Sequence, residues 1–511
     1  MSSQEPSASP QYAKRRKTKK PLIIGAAVVA VVLVLGAVAV VTSLGKRPGS
    51  ERALNIGLIV EPTNLNIRET AGVALDQVLI DNVYQGLVGL QPGTVNEYRP
   101  VLATDMPEVS ADGRVYEFKL RSGVKFHSGN PLHADDVVHS LTQTLTEDTI
   151  GQTPTVEAVS DTEVRISLEE PYSQLLWQLA SRPGLITEEG GDANMSNTAN
   201  GTGPYTLQNW RQNDSITLSA NDNYWGDPAT VQTVVFQFVP DSRAAVNALR
   251  EGSLDVHTAL LPTLRQEFEN SPDITLKRAA STDVFTLAYN QTKAPFNDLR
   301  VRQALSQAID TDAIIASQQG DGKALGSPIT ELEPGYADLT AMNAYDPENA
   351  RQLLAEAGVP NLSLTITAPN IYDPAALDII TSQLAQVGVT AKVEPVEFGV
   401  WLERVYSAKD YDLSFINHAE PADFVNYTNP DYYFGYDSKP VQELYAQSLL
   451  ATDQEQAAAL LQKAAEQVAQ DAPAKWLYNY TPTLAINNDV AGFPESNTNS
   501  RLPLEGVTIS E

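Results

Sequence analysis

The chain begins with a polar stretch and a basic cluster (Lys14, Arg15, Arg16, Lys17, Lys19, Lys20), then runs from Leu22 to Val41 without a charge or a strongly polar group. About twenty apolar residues suffice to cross the hydrocarbon core as one helix. The bases ahead of the run predict a cytoplasmic N-terminus and place everything after Gly45 outside. Two readings stay open: a retained anchor, or a signal peptide cleaved near Ala37-Val38-Ala39. Residues 1–20 thus read as a basic cytoplasmic tail, 21–44 as a transmembrane anchor or signal, and 45–52 as a linker. Beyond it, Ala53–Val60 alternates like a strand, Asp76–Leu87 has helical spacing, and His133–Leu145 reads as a helix. Thr230–Val239 and Asp283–Asn290 read as strands, and Ser242–Glu251 as a helix closed by Gly252. From Asp298 onward helices (298–309, 347–357, 373–387, 397–407) alternate with strands (362–367, 389–396, 411–416), the pattern of α/β units. Two further helical patterns and two strand-like segments, Lys475–Tyr480 and Thr483–Asn487, close the chain.

Length adds that 511 residues exceed one hydrophobic core. The net charge of −28 disfavours nucleic acid as a partner, the more so because the basic cluster sits wholly in the tail. With no cysteine, thiolate catalysis, Fe–S clusters, Cys-based zinc sites and lipoprotein anchoring are all excluded. Any hold on the membrane must therefore come from residues 22–41.

Candidate chemistry is sparse. His127, His133, His139, His257 and His418 show no metal-ligand spacing, and there is no nucleophile-elbow motif. Gly320-Asp321-Gly322-Lys323 lacks phosphate-loop spacing and reads as an ordinary loop. No catalytic residue, metal or cofactor is expected.

A series of motifs then appears in order. Asn82-Val83-Tyr84-Gln85-Gly86-Leu87 is followed by Asp112–Arg121, then by Gly123-Val124-Lys125-Phe126-His127-Ser128-Gly129 leading into Ala134-Asp135-Asp136-Val137. Next come Gly201-Thr202-Gly203-Pro204-Tyr205, Asn223-Tyr224-Trp225-Gly226, Gly252–Val256, and Pro295-Phe296 with Val301-Arg302-Gln303-Ala304-Leu305. Together they resemble extracellular solute-binding protein family 5, the dipeptide, oligopeptide and nickel binding proteins of ABC importers, from about Leu54 to the C-terminus. The resemblance implies an α/β, two-lobed, periplasmic-binding-protein-like clamp, which the apolar run at 22–41 places behind an N-terminal transmembrane helix. It implies capture of a peptide and delivery to an ABC permease and its ATPase. The alternatives are a nickel chelate, an opine or a sugar, or a tethered sensor built on the same clamp. By analogy lobe one is 53–289 completed by 475–511, and lobe two is 290–474. The ligand contacts expected are Glu61, Tyr289, Asn290, Asn417, His418, Glu420 and Tyr427. In peptide-binding members an aspartate ahead of a Glu/Asp-Pro pair meets the ligand's ammonium; here Asn417 stands in its place, with Glu420 and Asp423 as possible replacements. The tyrosines at 427, 432, 433 and 436 are either cleft wall or packing.

Overall fold

A computed structural model describes residues 52–70, 72–191, 194–419, 421–496 and 501–510. The Leu22–Val41 run and Glu420 lie outside the described residues. Among those described, no helix is long and apolar enough to cross a membrane.

Two large sheets organise the chain. The first uses β1 (Leu54–Leu58), β2 (Tyr205–Arg211), β3 (Ser215–Ala220), β4 (Thr233–Phe238), β5 (Val256–Leu260), β6 (Ile274–Arg278) and, from far downstream, β13 (Thr483–Asn487). Its order is β6-β13-β5-β1-β4-β3-β2, with β1 parallel to β4 and β5. The second comprises β7 (Val284–Tyr289), β8 (Gly322–Ala324), β9 (Ser363–Pro369), β10 (Thr390–Val396), β11 (Leu413–His418) and β12 (Ala474–Tyr480), in the order β8-β12-β7-β11-β9-β10. A four-stranded antiparallel sheet within 108–167, covered by the helix Ala134–Thr144, forms a subdomain of lobe one with its own core around Phe118, Val137, Leu141 and Ile166.

The central strands, β1, β5 and β13 of the first sheet and β7 and β11 of the second, are buried on both faces, as their apolar runs require. On β7, Phe285, Leu287 and Tyr289 join one core with Val301, Leu305, Ile380 and Phe415. Val284 and Ala288 join the other, with Trp401, Tyr427, Tyr433, Phe434 and Trp476. The period-two alternation of a strand thus feeds two layers at once.

The lobe boundaries fall elsewhere than the family analogy suggests. β7 pairs with β11 along its whole length, from Val284↔His418 to Tyr289↔Leu413, and β12 pairs with β7. Both strands therefore belong to lobe two, although boundaries at 289 and 475 assign β7 and most of β12 to lobe one. The chain crosses at 279–283 and 481–482. The helix expected over 76–87 is also shorter, spanning Val73–Leu79. Asp81 adopts φ 66°, and the Asn82 side chain bonds the carbonyls of Gln77 (3.2 Å) and Val78 (3.4 Å), ending the helix there.

The motif residues hold this architecture together. Asn82 also donates to Leu502 O (2.9 Å) and accepts from the Leu504 amide (3.0 Å), stitching the C-terminal segment into lobe one. A Cβ at Gly201 would lie 1.9 Å from Val83 O and one at Gly203 2.4 Å from Asn82 O, so only glycine fits. His127 pairs through Nε2 with Gly203 O at 3.0 Å, joining two motifs. In lobe two the buried Arg302 guanidinium donates to Asp471 O (2.7 Å), Ala472 O (3.1 Å) and Phe296 O (3.0 Å). It thereby caps the last carbonyls of the helix Gln454–Asp471.

Candidate functional site

The register of the sheets dictates where a ligand can sit. In open α/β sheets ligands bind outside the carboxyl ends of the parallel strands. In the first sheet that edge carries the ends of β1, β4 and β5, the end of β6 and the start of β13. In the second it carries the ends of β9, β10, β11 and β12 and the start of β7. Where the chain crosses between lobes, through 279–283 and 481–482, it passes directly from one of these edges to the other. Connections that short hold the two carboxyl edges against each other. Just past these strand ends stand large apolar side chains that no core absorbs: Ile59, Val60 and Leu261 on lobe one, Ile371 (65% exposed) and Phe398 (46%) on lobe two.

Away from the crossings, a small, open cavity of about 80 Å³ lies between the lobes. Tyr98 and Trp177 line it from the subdomain, and Glu333, Phe424, Tyr445 and Leu461 from lobe two. Burial pushes the Glu333 carboxyl up, although its oxygens accept from the amides of Thr330 and Ala422, each at 2.9 Å.

Two sets of contacts join the lobes. At the crossings, Asp321 of lobe two is fully buried against three groups of lobe one: Arg265 (2.5 Å), Arg278 (3.1 Å) and the Thr483 hydroxyl (3.0 Å). At the far rim, the Ser173 amide donates to Leu449 O (2.7 Å), its hydroxyl to Ser448 O (2.9 Å), and Gln454 donates back to Ser173 O (3.1 Å). Asp321 and Ser173 were not singled out by sequence reasoning. Asp321 sits in the loop that resembled a phosphate-binding motif, and its function in the fold is to bridge the lobes.

The expected contacts separate into groups. Glu61 is at the carboxyl edge, but its carboxylate takes the Trp210 indole N–H and the Asn213 amide, both at 3.0 Å, and so fastens the β2–β3 turn. Tyr289 is fully buried with its hydroxyl on Ser306 (2.9 Å). Asn290 donates to Lys409 O and Tyr411 O, both at 2.9 Å. Tyr427 is buried and accepts from the Trp476 indole at 2.8 Å. Tyr433 and Tyr436 are buried too, so that this stretch is chiefly packing rather than cleft wall. His418 lies between Asp423 (2.7 Å) and the Tyr433 hydroxyl (3.0 Å), pinning the loop that follows β11. Asn417 differs from these. It is half-buried at the carboxyl edge; its backbone amide donates to the Tyr372 hydroxyl (3.1 Å), its Nδ2 to Asp283 (3.0 Å), and its Oδ1 is buried without a partner. Among the described residues no group of three or more His, Cys, Asp or Glu is placed to hold a metal ion.

Residues 97–440 match the model of the bacterial extracellular solute-binding proteins, family 5. The chain belongs to that family. It is 30% identical to the dipeptide-binding protein of Escherichia coli K12 over 489 residues, covering 83% of this chain and 88% of that one. It is also 30% identical to heme-binding protein A of Haemophilus influenzae over 400 residues, 70% of each chain. The ABC transporter-associated periplasmic binding protein DppA of Helicobacter pylori, solved with the peptide STSA, superposes with a TM-score of 0.78 at 25% identity, covering 90% of this chain and 98% of that one. The two-lobed α/β fold of this solute-binding protein, and an extracytoplasmic working place, follow from the family.

Proposed function

We propose that this solute-binding protein captures peptides between its two lobes and delivers them to the permease of an ABC importer, tethered to the cell membrane by residues 22–41. The observation that carries the reading is the pair of facing carboxyl edges, with apolar side chains left exposed on both and a buried acceptor without a partner, Asn417 Oδ1, at the lobe-two edge. A peptide matches such a cleft: a polar backbone to pair with strand ends, and side chains to bury against Ile59, Leu261, Ile371 and Phe398. The peptide-loaded structural relative and the dipeptide-binding relative support the same reading. Of the expected contacts, Asn417 is retained as a ligand group; Glu420 lies outside the described residues, and the others fasten the frame. Native mass spectrometry of the protein purified without denaturation tests this. Co-purifying masses that fragment as peptides are expected, and a metal chelate, a sugar or a haem in their place would overturn it.

A further inference from the structure

The cavity between the lobes holds a carboxylate that has no cation. Of the described residues that line it, none is a lysine, an arginine or a histidine, and Glu333 alone is an acid. Elsewhere in this fold, carboxylates out of the solvent face arginines: Asp321 meets Arg265, and Asp81 meets Arg501 at 3.2 Å. Glu333 has neutral donors instead. Its Oε2 accepts from the Thr330 amide and hydroxyl, both at 2.9 Å, and its Oε1 from the Ala422 amide at 2.9 Å. A carboxylate offers about four acceptor positions, so Oε1 keeps one for a further donor.

The surroundings suit a cation. Burial holds the Glu333 carboxyl above its ordinary range, and the negative charge of Asp423 adds to this; a cation entering the cavity acts the other way. Tyr98 and Trp177 of lobe one face Phe424 and Tyr445 of lobe two, whose rings lie 5.9 Å apart. Aromatic faces attract cations. The loop that brings the Ala422 amide to Glu333 is held there at a cost, because Ala422 adopts φ 61°, a left-handed conformation that its Cβ makes unfavourable by about 1–2 kcal/mol. Such conformations cluster at ligand sites. With about 80 Å³ of room, the cavity admits the end of one side chain and not a whole peptide.

We infer that this cavity receives the cationic end of a ligand side chain, a guanidinium or an ammonium that donates to Glu333 Oε1 among the aromatic rings, so that the protein favours peptides carrying arginine or lysine. This rests on the peptide reading above and deepens it. Glu333 touches the ligand, whereas Thr330 and Ala422 are positioning residues that hold its carboxylate.

The test offers the full-length protein an equimolar mixture of two random tripeptide pools and weighs what is retained by mass spectrometry. One pool carries an arginine or a lysine; the other carries citrulline or Nε-acetyl-lysine, their neutral counterparts. The wild type should enrich the basic pool about 10- to 100-fold, and Glu333→Gln should abolish that preference while still retaining neutral peptides. Equal losses from both pools would mean that Glu333 only holds the loop, and would overturn the inference. If thermal melting shows Glu333→Gln unfolded, the structure of the wild type with a retained arginine tripeptide decides: a guanidinium within hydrogen-bond reach of Glu333 is expected, and one placed elsewhere overturns the inference. A wild type that retains both pools alike would overturn it and leave the peptide reading intact. A wild type that retains no peptide would overturn both.

Discussion

The Asp321 cluster gives the most direct test of how the lobes are coupled. Asp321→Asn keeps the shape and the Thr483 hydrogen bond but removes the charge that faces two guanidiniums. Arg265 is nearly buried (12% exposed), so its pair with Asp321 is little screened, and a pair at about 4 Å has a gross attraction of about 4 kcal/mol at an effective dielectric near 20. Arg278 is half exposed and adds less than about 1 kcal/mol. Against this, burial pushes the Asp321 carboxyl up while both arginines and the Thr483 hydroxyl pull it down, so removing the charge recovers part of the loss. The net expected cost is about 2 kcal/mol. Because every lost contact joins one lobe to the other, the cost should appear as lost cooperativity. Urea unfolding of the wild type, followed by tryptophan fluorescence and circular dichroism together, should give coincident transitions, and that of the variant two separated ones. An unchanged midpoint with coincident transitions would show that desolvation cancels the pairing and that the lobes are coupled elsewhere.

Three other outcomes are expected. His257 is fully buried on β5, and burial pushes its imidazole down to about 4, so as pH falls from 6.5 toward 4 the unfolded chain takes the proton first. Up to about 3 kcal/mol of stability should be lost over that window, and His257→Leu should flatten this part of the profile; an unaltered slope would refute the assignment. Arg302→Met leaves three backbone carbonyls without their buried donor and should lower stability by roughly 3 kcal/mol while sparing ligand affinity, whereas a change below about 1 kcal/mol would mean the motif arginine is not a clamp. Full-length protein should stay in the membrane fraction through a high-salt wash, and recovery of mature protein with an N-terminus near Val40 would establish cleavage instead of anchoring.

Much of the frame was legible because it is local. The alternation of helices and strands from Asp298 onward, the helix-closing Gly252 and the ordered motifs all express short-range preferences. What escaped depends on residues far apart in the chain. Nothing in the sequence near Asp283 signals that it meets Asn417, and nothing near Asp321 signals two arginines from the other lobe. The crossings were misplaced for the same reason, since only pairing with β11 shows that β7 belongs to lobe two. The tyrosines of 427–436 were ambiguous because a buried aromatic and a cleft aromatic obey the same composition rule; their depth decides it.

The position of β13 has a consequence for how the molecule comes into being. Lobe two is one continuous length of chain, complete once Tyr480 is made, whereas β13 is an interior strand of the other sheet, lying between β6 and β5. A chain emerging N-terminus first can therefore finish its second lobe while its first still has a gap one strand in from the edge of its sheet. Along that gap β5 and β6 hold out two rows of unpaired backbone groups, a template for any passing strand. The last residues to arrive close it, and Asn82 then locks Leu502 and Leu504 in place. The lobe that begins first is thus completed last, and a nascent chain that stalls short of Thr483 leaves β5 unpaired and β6 detached from the rest of its sheet.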